Sequence, residues 1–153
     1  MNAKPVGILL VEDNDADAEL ALHALRKSQL ANHIHRARDG EEALNFLFCR
    51  GDFSERTFDD APQLILLDLK LPKIDGLQVL QQIKSDPHTR AIPVIILTSS
   101  KEEHDVVTGY LNGVNSYIQK PVNFADFQNV VRQLGMYWLL LNSKPPASAY
   151  NQS

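Results

Sequence analysis

The residues best suited to chemistry stand directly after apolar runs. Glu12, Asp13 and Asn14 follow Val6 to Val11, and Asp68 follows Leu64 to Leu67. Thr98, with Ser99 and Ser100, follows Val94 to Leu97, and Lys120-Pro121 follows Tyr117 to Gln119. Singly, each has an ordinary reading. Acids after a strand cap the next helix, a threonine at a strand end is a turn or cap residue, and a lysine before proline lies on the surface. Together they offer an acid cluster, a hydroxyl and an ammonium group around one point. Crowded carboxylates repel, so one takes up a proton or the group binds a cation. Oxygen ligands with room for water suit Mg2+, which takes one or two carboxylates and favours phosphate as a further ligand. An aspartate is also a nucleophile toward phosphorus. Transfer through an aspartyl phosphate needs mainly positioning and charge neutralisation, for which Lys120 would supply a cation and Thr98 a hydrogen bond.

The elements that must position these groups read from periodicity. Strands are expected at Val6–Val11, Ile34–Ala37, Leu64–Leu67, Val94–Leu97 and Tyr117–Gln119. Between them, helical spacing covers Asp15–Ser28, Glu41–Phe48, Leu77–Ile83 and Glu102–Leu111, and Asn123 caps a last helix running to about Leu141. Short apolar strands alternating with helices imply an α/β fold with a parallel sheet covered on both faces. Right-handed crossovers leave few topologies. For five strands and five helices the leading one is a doubly wound, flavodoxin-like sheet in the order 2-1-3-4-5. Ligands of such sheets bind beyond the carboxyl ends of the strands, where the residues above cluster.

Composition narrows the partners. The chain has 153 residues, 44% hydrophobic and 22% charged, with a formal net charge of −4. That size fits one domain with a sizeable core, and the acidic balance offers no broad attraction to nucleic acid or an anionic membrane. Cys49 is the only cysteine, so no internal disulfide forms, and a reducing, cytoplasmic setting is expected. The first apolar run is too short for a signal peptide or a membrane span.

Glu12-Asp13, Asp68 with Leu71-Pro72 and Asp75-Gly76, Thr98-Ser99, and Tyr117 with Lys120-Pro121 together resemble the motif set of response-regulator receiver domains. The likeness spans roughly residues 5 to 135. It implies a phosphoacceptor at Asp68, a direct Mg2+ ligand at Asp13, and an acidic partner acting largely through water at Glu12. It also implies a metal contact from the backbone carbonyl of Lys70, phosphoryl contacts from Thr98 and Lys120, and a cis peptide between Lys120 and Pro121. Tyr117 falls at the family's aromatic switch position. On phosphorylation Thr98 would move toward the phosphoryl group and Tyr117 would turn inward, remodelling the face made by the fourth helix, fifth strand and last helix. The implied partner is a sensor histidine kinase.

Two segments depart from a minimal receiver. Cys49 to Gln63 is long for a helix-to-strand connection, and is either functional or a packed surface excursion. In the last helix, Phe124, Phe127, Val131, Leu134, Trp138 and Leu141 recur at steps of three and four, an a/d stripe. A helix from Asn123 to Leu141 would be about 28 Å long and would project apolar groups beyond the core. The expectation is a homodimer through Phe127, Leu134, Tyr137, Trp138 and Leu141, within a domain spanning 5–142 and followed by a disordered tail over 143–153. The alternative is a chain that bends at Gly135 and folds back. The long connection and aromatic C-terminal segment also resemble the stand-alone receivers paired with cyanobacterial and bacterial phytochrome histidine kinases.

Other functions fit less well. A phosphohydrolase of the haloacid dehalogenase type needs a second acid two residues after its nucleophile, where this chain has Lys70. A nucleotide or flavin site wants a Gly- or Ser/Thr-rich loop after the first strand, where Glu12-Asp13-Asn14-Asp15 would repel phosphate unless a cation intervened. A scaffold-only pseudo-receiver would not need every site residue.

Overall fold

The structure is a computed structural model that describes residues 7–27, 33–99 and 116–136. Five parallel strands form one sheet: β1 (Ile8–Val11), β2 (Ile34–Ala37), β3 (Leu64–Asp68), β4 (Val94–Thr98) and β5 (Ser116–Gln119). Their order is β2-β1-β3-β4-β5, the flavodoxin-like order expected. Asp68 and Thr98 are the last residues of their strands rather than the first beyond them. No helix among the described residues is long and apolar enough to cross a membrane.

The apolar runs lack hydrophilic alternation because both faces are covered. Ile8, Leu10, Leu64, Leu66, Ile95 and Leu97 face one side, packing on α1 (Asp15–Lys27) and the last helix (Phe124–Gln133). Leu9, Val11, Ile65, Leu67, Val94 and Ile96 face the other, packing on α2 (Gly40–Leu47) and α3 (Gly76–Ser85). Successive strand residues point to opposite faces, so each helix pair holds one half of every central strand. The expected helix over Glu102–Leu111 lies outside the described residues.

The last helix is shorter than its apolar stripe suggests. It ends at Gln133, and Leu134 caps it. Gly135 adopts a φ of +73°, its N–H donates to the carbonyl of Arg132, and the N–H of Met136 donates to the carbonyl of Val131. This pairing of a left-handed glycine with six-to-one and five-to-two bonds is a Schellman cap. It turns the buried Met136 back onto the same cluster as Val131. One continuous helix from Asn123 to Leu141 is therefore not formed. Phe127 is fully buried in the domain's own core, so it is no dimer contact, and Leu134 packs half-buried against the same cluster. From Phe127 to Leu134 the spacing of three and four records packing against the domain's own core. Tyr137, Trp138, Leu141 and the tail over 143–153 lie outside the described residues.

The segment from Cys49 to Gln63 is a packed excursion, with two short 3-10 turns at Gly51–Phe53 and Phe58–Asp60. The side chain of Arg56 lies over the ring of Phe46, 3.6 Å from its centroid, and Phe46 stacks on His35. Phe58 stacks on His88 at a centroid distance of 4.0 Å. These contacts tie the excursion to β2, α2 and the turn after α3.

Candidate functional site

Strand register sets the site as a staircase. Val11 pairs with Leu67, Asp68 with Leu97, and Thr98 with Gln119. Glu12 thus lies level with Asp68, Thr98 one step further out, and Lys120 one step beyond that. Glu12, Asp68, Thr98 and Lys120 each arrive at the carboxyl edge of the sheet on a different strand. The Lys120-Pro121 peptide is cis.

Around Asp68 the backbone is closely fitted. Asp75 caps α3, its side chain accepting from the N–H of Leu77 and the side chain of Gln78 accepting in return from the N–H of Asp75. A Cβ on Gly76 would collide with the carbonyl of Asp68 and stand 2.7 Å from Leu69 Cα. Only glycine lets the first turn of α3 abut the end of β3. The N–H of Lys70 donates to Asp68 Oδ1 at 3.2 Å.

Glu12, Asp13 and Asp68 bring carboxylate oxygens within 4.8 Å of one another. Glu12 and Asp68 are buried, 1% and 2% exposed, whereas Asp13 faces solvent. Burial, with Asp68 beside it, pushes the Glu12 carboxyl up to about 7. Lys120 meets the cluster from above. Its Nζ donates to Asp68 Oδ2 at 3.1 Å, Asp17 Oδ2 at 3.2 Å and Glu12 Oε1 at 3.3 Å. Burial works against this ammonium, but the three carboxylates outweigh it and hold its pKa above the ordinary lysine value. A hollow of about 470 Å3, lined by Asp13, Lys70, Leu71, Pro72 and Asp75 among others, opens beside the cluster. An all-oxygen donor set with one exposed carboxylate and adjoining open space fits a hard divalent cation.

Thr98 is fully buried, and among the described residues its hydroxyl has no hydrogen-bond partner. An orphan buried hydroxyl costs stability, and here it lies one step from Asp68. Tyr117, on edge strand β5, is 37% exposed.

Two contributors escape sequence reasoning. Arg36, on β2, donates from Nε to the carbonyl of Glu12 at 3.1 Å and from Nη2 to that of Asp13 at 3.3 Å, while Nη1 pairs with Asp15 at 2.9 Å. It clamps the backbone of the acid loop. Asp17, in the first turn of α1, is the other. An acid there reads as a helix-end residue, and nothing in its spacing points to Lys120.

The response regulator receiver domain model matches residues 8–132. The chain belongs to that family. "Probable methanogenesis regulatory protein FilR2" of Methanothrix harundinacea is 43% identical over 141 residues, 92% of this chain and 88% of its own length. Response regulator Rcp1 of Synechocystis is 40% identical over 143 residues, 94% of this chain and 95% of its own. The Mn2+-bound form of Rcp1 superposes with a TM-score of 0.72 at 39% identity, over 93% of this chain and all of that one. The bacteriophytochrome response regulator RtBRR superposes with a TM-score of 0.83 at 50% identity, over 95% of this chain and 87% of that one. As a receiver, the protein works in two-component phosphorelay signalling.

Proposed function

We propose that Asp68 accepts a phosphoryl group from a histidine kinase and that the resulting charge resets the β5 face for a partner. The observation that carries this reading is the convergence of Lys120 on Asp68 Oδ2 at the site edge. An Asp68 oxygen attacks phosphorus of the kinase phosphohistidine. The phosphorus–oxygen bond forms as the phosphorus–nitrogen bond breaks, and the imidazole leaves. Asp13, Asp68 and the Lys70 carbonyl would hold Mg2+, with Glu12 acting through water, and the ion supplies positive charge to the phosphoryl oxygens. Lys120 donates to one phosphoryl oxygen. Thr98 gains there the partner its hydroxyl lacks, and Tyr117 turns into the space that Thr98 leaves.

The similarity to the bacteriophytochrome response regulator RtBRR supports a phytochrome-type kinase as the partner. A cytoplasmic setting follows from such a partner. Slow phosphorylation by small phosphodonors and slow self-dephosphorylation accompany the same site. A homodimer would now rest on Tyr137, Trp138 and Leu141 without Phe127.

The test is intact mass after incubation with acetyl phosphate and Mg2+. One phosphate adduct is expected, lost with EDTA and absent from Asp68→Asn. An unmodified wild type that turns over phosphomonoesters would overturn the reading in favour of a phosphohydrolase.

A further inference from the structure

Asp17 is outside the acid cluster and outside the motif set, yet Lys120 reaches it at 3.2 Å, against 3.1 Å to Asp68. A lysine ammonium has three N–H donors, and Asp68, Glu12 and Asp17 take one each. Asn14 caps α1, its side chain accepting from the N–H of Asp17 at 2.9 Å. An acid three residues after a cap ordinarily reaches back to the cap's own N–H. That role is filled here by Glu12, whose Oε2 accepts from the N–H of Asn14 at 3.2 Å. The Asp17 carboxylate instead crosses to the end of β5.

We propose that Asp17 is a positioning residue for phosphoryl transfer, fixing the Lys120 ammonium at the reach from which it meets a phosphoryl group on Asp68. The proposal rests on the phosphoacceptor reading of Asp68. Once Asp68 carries phosphorus, the oxygen bonded to it is no longer a charged acceptor, and one donor of Lys120 passes to a phosphoryl oxygen. The lysine stem is flexible, with four rotatable carbons. A single remaining anchor would let the ammonium swing. Two anchors on separate elements, Glu12 after β1 and Asp17 on α1, leave the third donor aimed at Asp68.

Three measurements on the full chain test this, with acetyl phosphate and Mg2+ as the probes. Asp17→Ala is expected to slow phosphorylation about fivefold at saturating acetyl phosphate, with the half-saturating concentration unchanged. Asp17→Asn keeps an oxygen acceptor in place and is expected to stay within about twofold of wild type. Mg2+ affinity by calorimetry is expected unchanged in both, since Asp17 is no metal ligand. The 15N signal of the Lys120 ammonium is expected to shift in Asp17→Ala and not in Asp17→Asn. An Asp17→Ala chain phosphorylated at the wild-type rate overturns the proposal and leaves the Asp68 reading intact. So does a rate loss matched by an equal loss of Mg2+ affinity, or an Asp17→Asn chain as slow as Asp17→Ala. A wild type that takes up no phosphoryl group overturns both.

Discussion

Arg36 holds Glu12 by its backbone: the guanidinium Nε donates to the Glu12 carbonyl at 3.1 Å, leaving the carboxylate to Lys120 and Asn14. The loop's direction and its charge are thus set by different partners. Arg36→Ala removes both carbonyl contacts from a residue whose side chain is only 15% exposed. The expected cost is about 2 kcal/mol in urea unfolding, with Mg2+ affinity weakened severalfold by calorimetry. Arg36→Lys should restore little, because one point charge does not replace a planar fork.

Glu12 makes the metal-free protein sensitive to pH. Its carboxyl lies near 7 when folded against an ordinary value of 4.5, so the folded state binds the extra proton between those limits. Stability contributed by this group is therefore lost as pH rises from about 5 to about 8, by roughly 1–3 kcal/mol. Chemical unfolding in EDTA at several pH values should follow this slope, and Glu12→Gln should flatten it. Saturating Mg2+ should flatten it too, since the cation substitutes for the proton.

Thr98 carries opposite demands of stability and function. Thr98→Val replaces a buried, unpartnered hydroxyl with a methyl group of similar size. Thermal unfolding without phosphodonor should show equal or greater stability, by up to about 1 kcal/mol. The same variant should hold its phosphoryl group for a shorter time in acetyl phosphate chase experiments. A destabilised Thr98→Val with an unchanged phosphoryl lifetime would make Thr98 a packing residue.

The C-terminal boundary separates folding from assembly. Truncation after Leu134 removes the Schellman glycine and the buried Met136, and should cost about 2 kcal/mol. Truncation after Met136 keeps both. If Tyr137, Trp138 and Leu141 form the dimer, sedimentation should find a dimer in the full chain and a monomer in the Met136 truncation. Two monomers would dispose of the dimer.

What was legible in the sequence is what depends on side-chain period and strand ends. The apolar runs give the sheet, and Glu12, Asp13, Asp68, Thr98 and Lys120 are visible because each follows one. Arg36 was hidden because it acts on carbonyls, which carry no residue identity. Asp17 was hidden because its helical position has an ordinary use that Glu12 had already taken. The end of the last helix was hidden because the apolar spacing of three and four continues past Leu134. The φ of Gly135 marks that end, and sequence alone does not reveal which glycines turn left-handed.

The packed excursion over residues 49–63 also makes the domain addressable. Its anchors, Arg56 on Phe46 and Phe58 on His88, hold it without help from the carboxyl edge of the sheet. Gln63 leads into the start of β3, so the five residues of that strand, about 16 Å of chain, separate it from Asp68. Exposed Ser54 and Glu55 lie between the two 3-10 turns. A fluorophore or short epitope grafted there would report on the molecule from the end that the chemistry does not use.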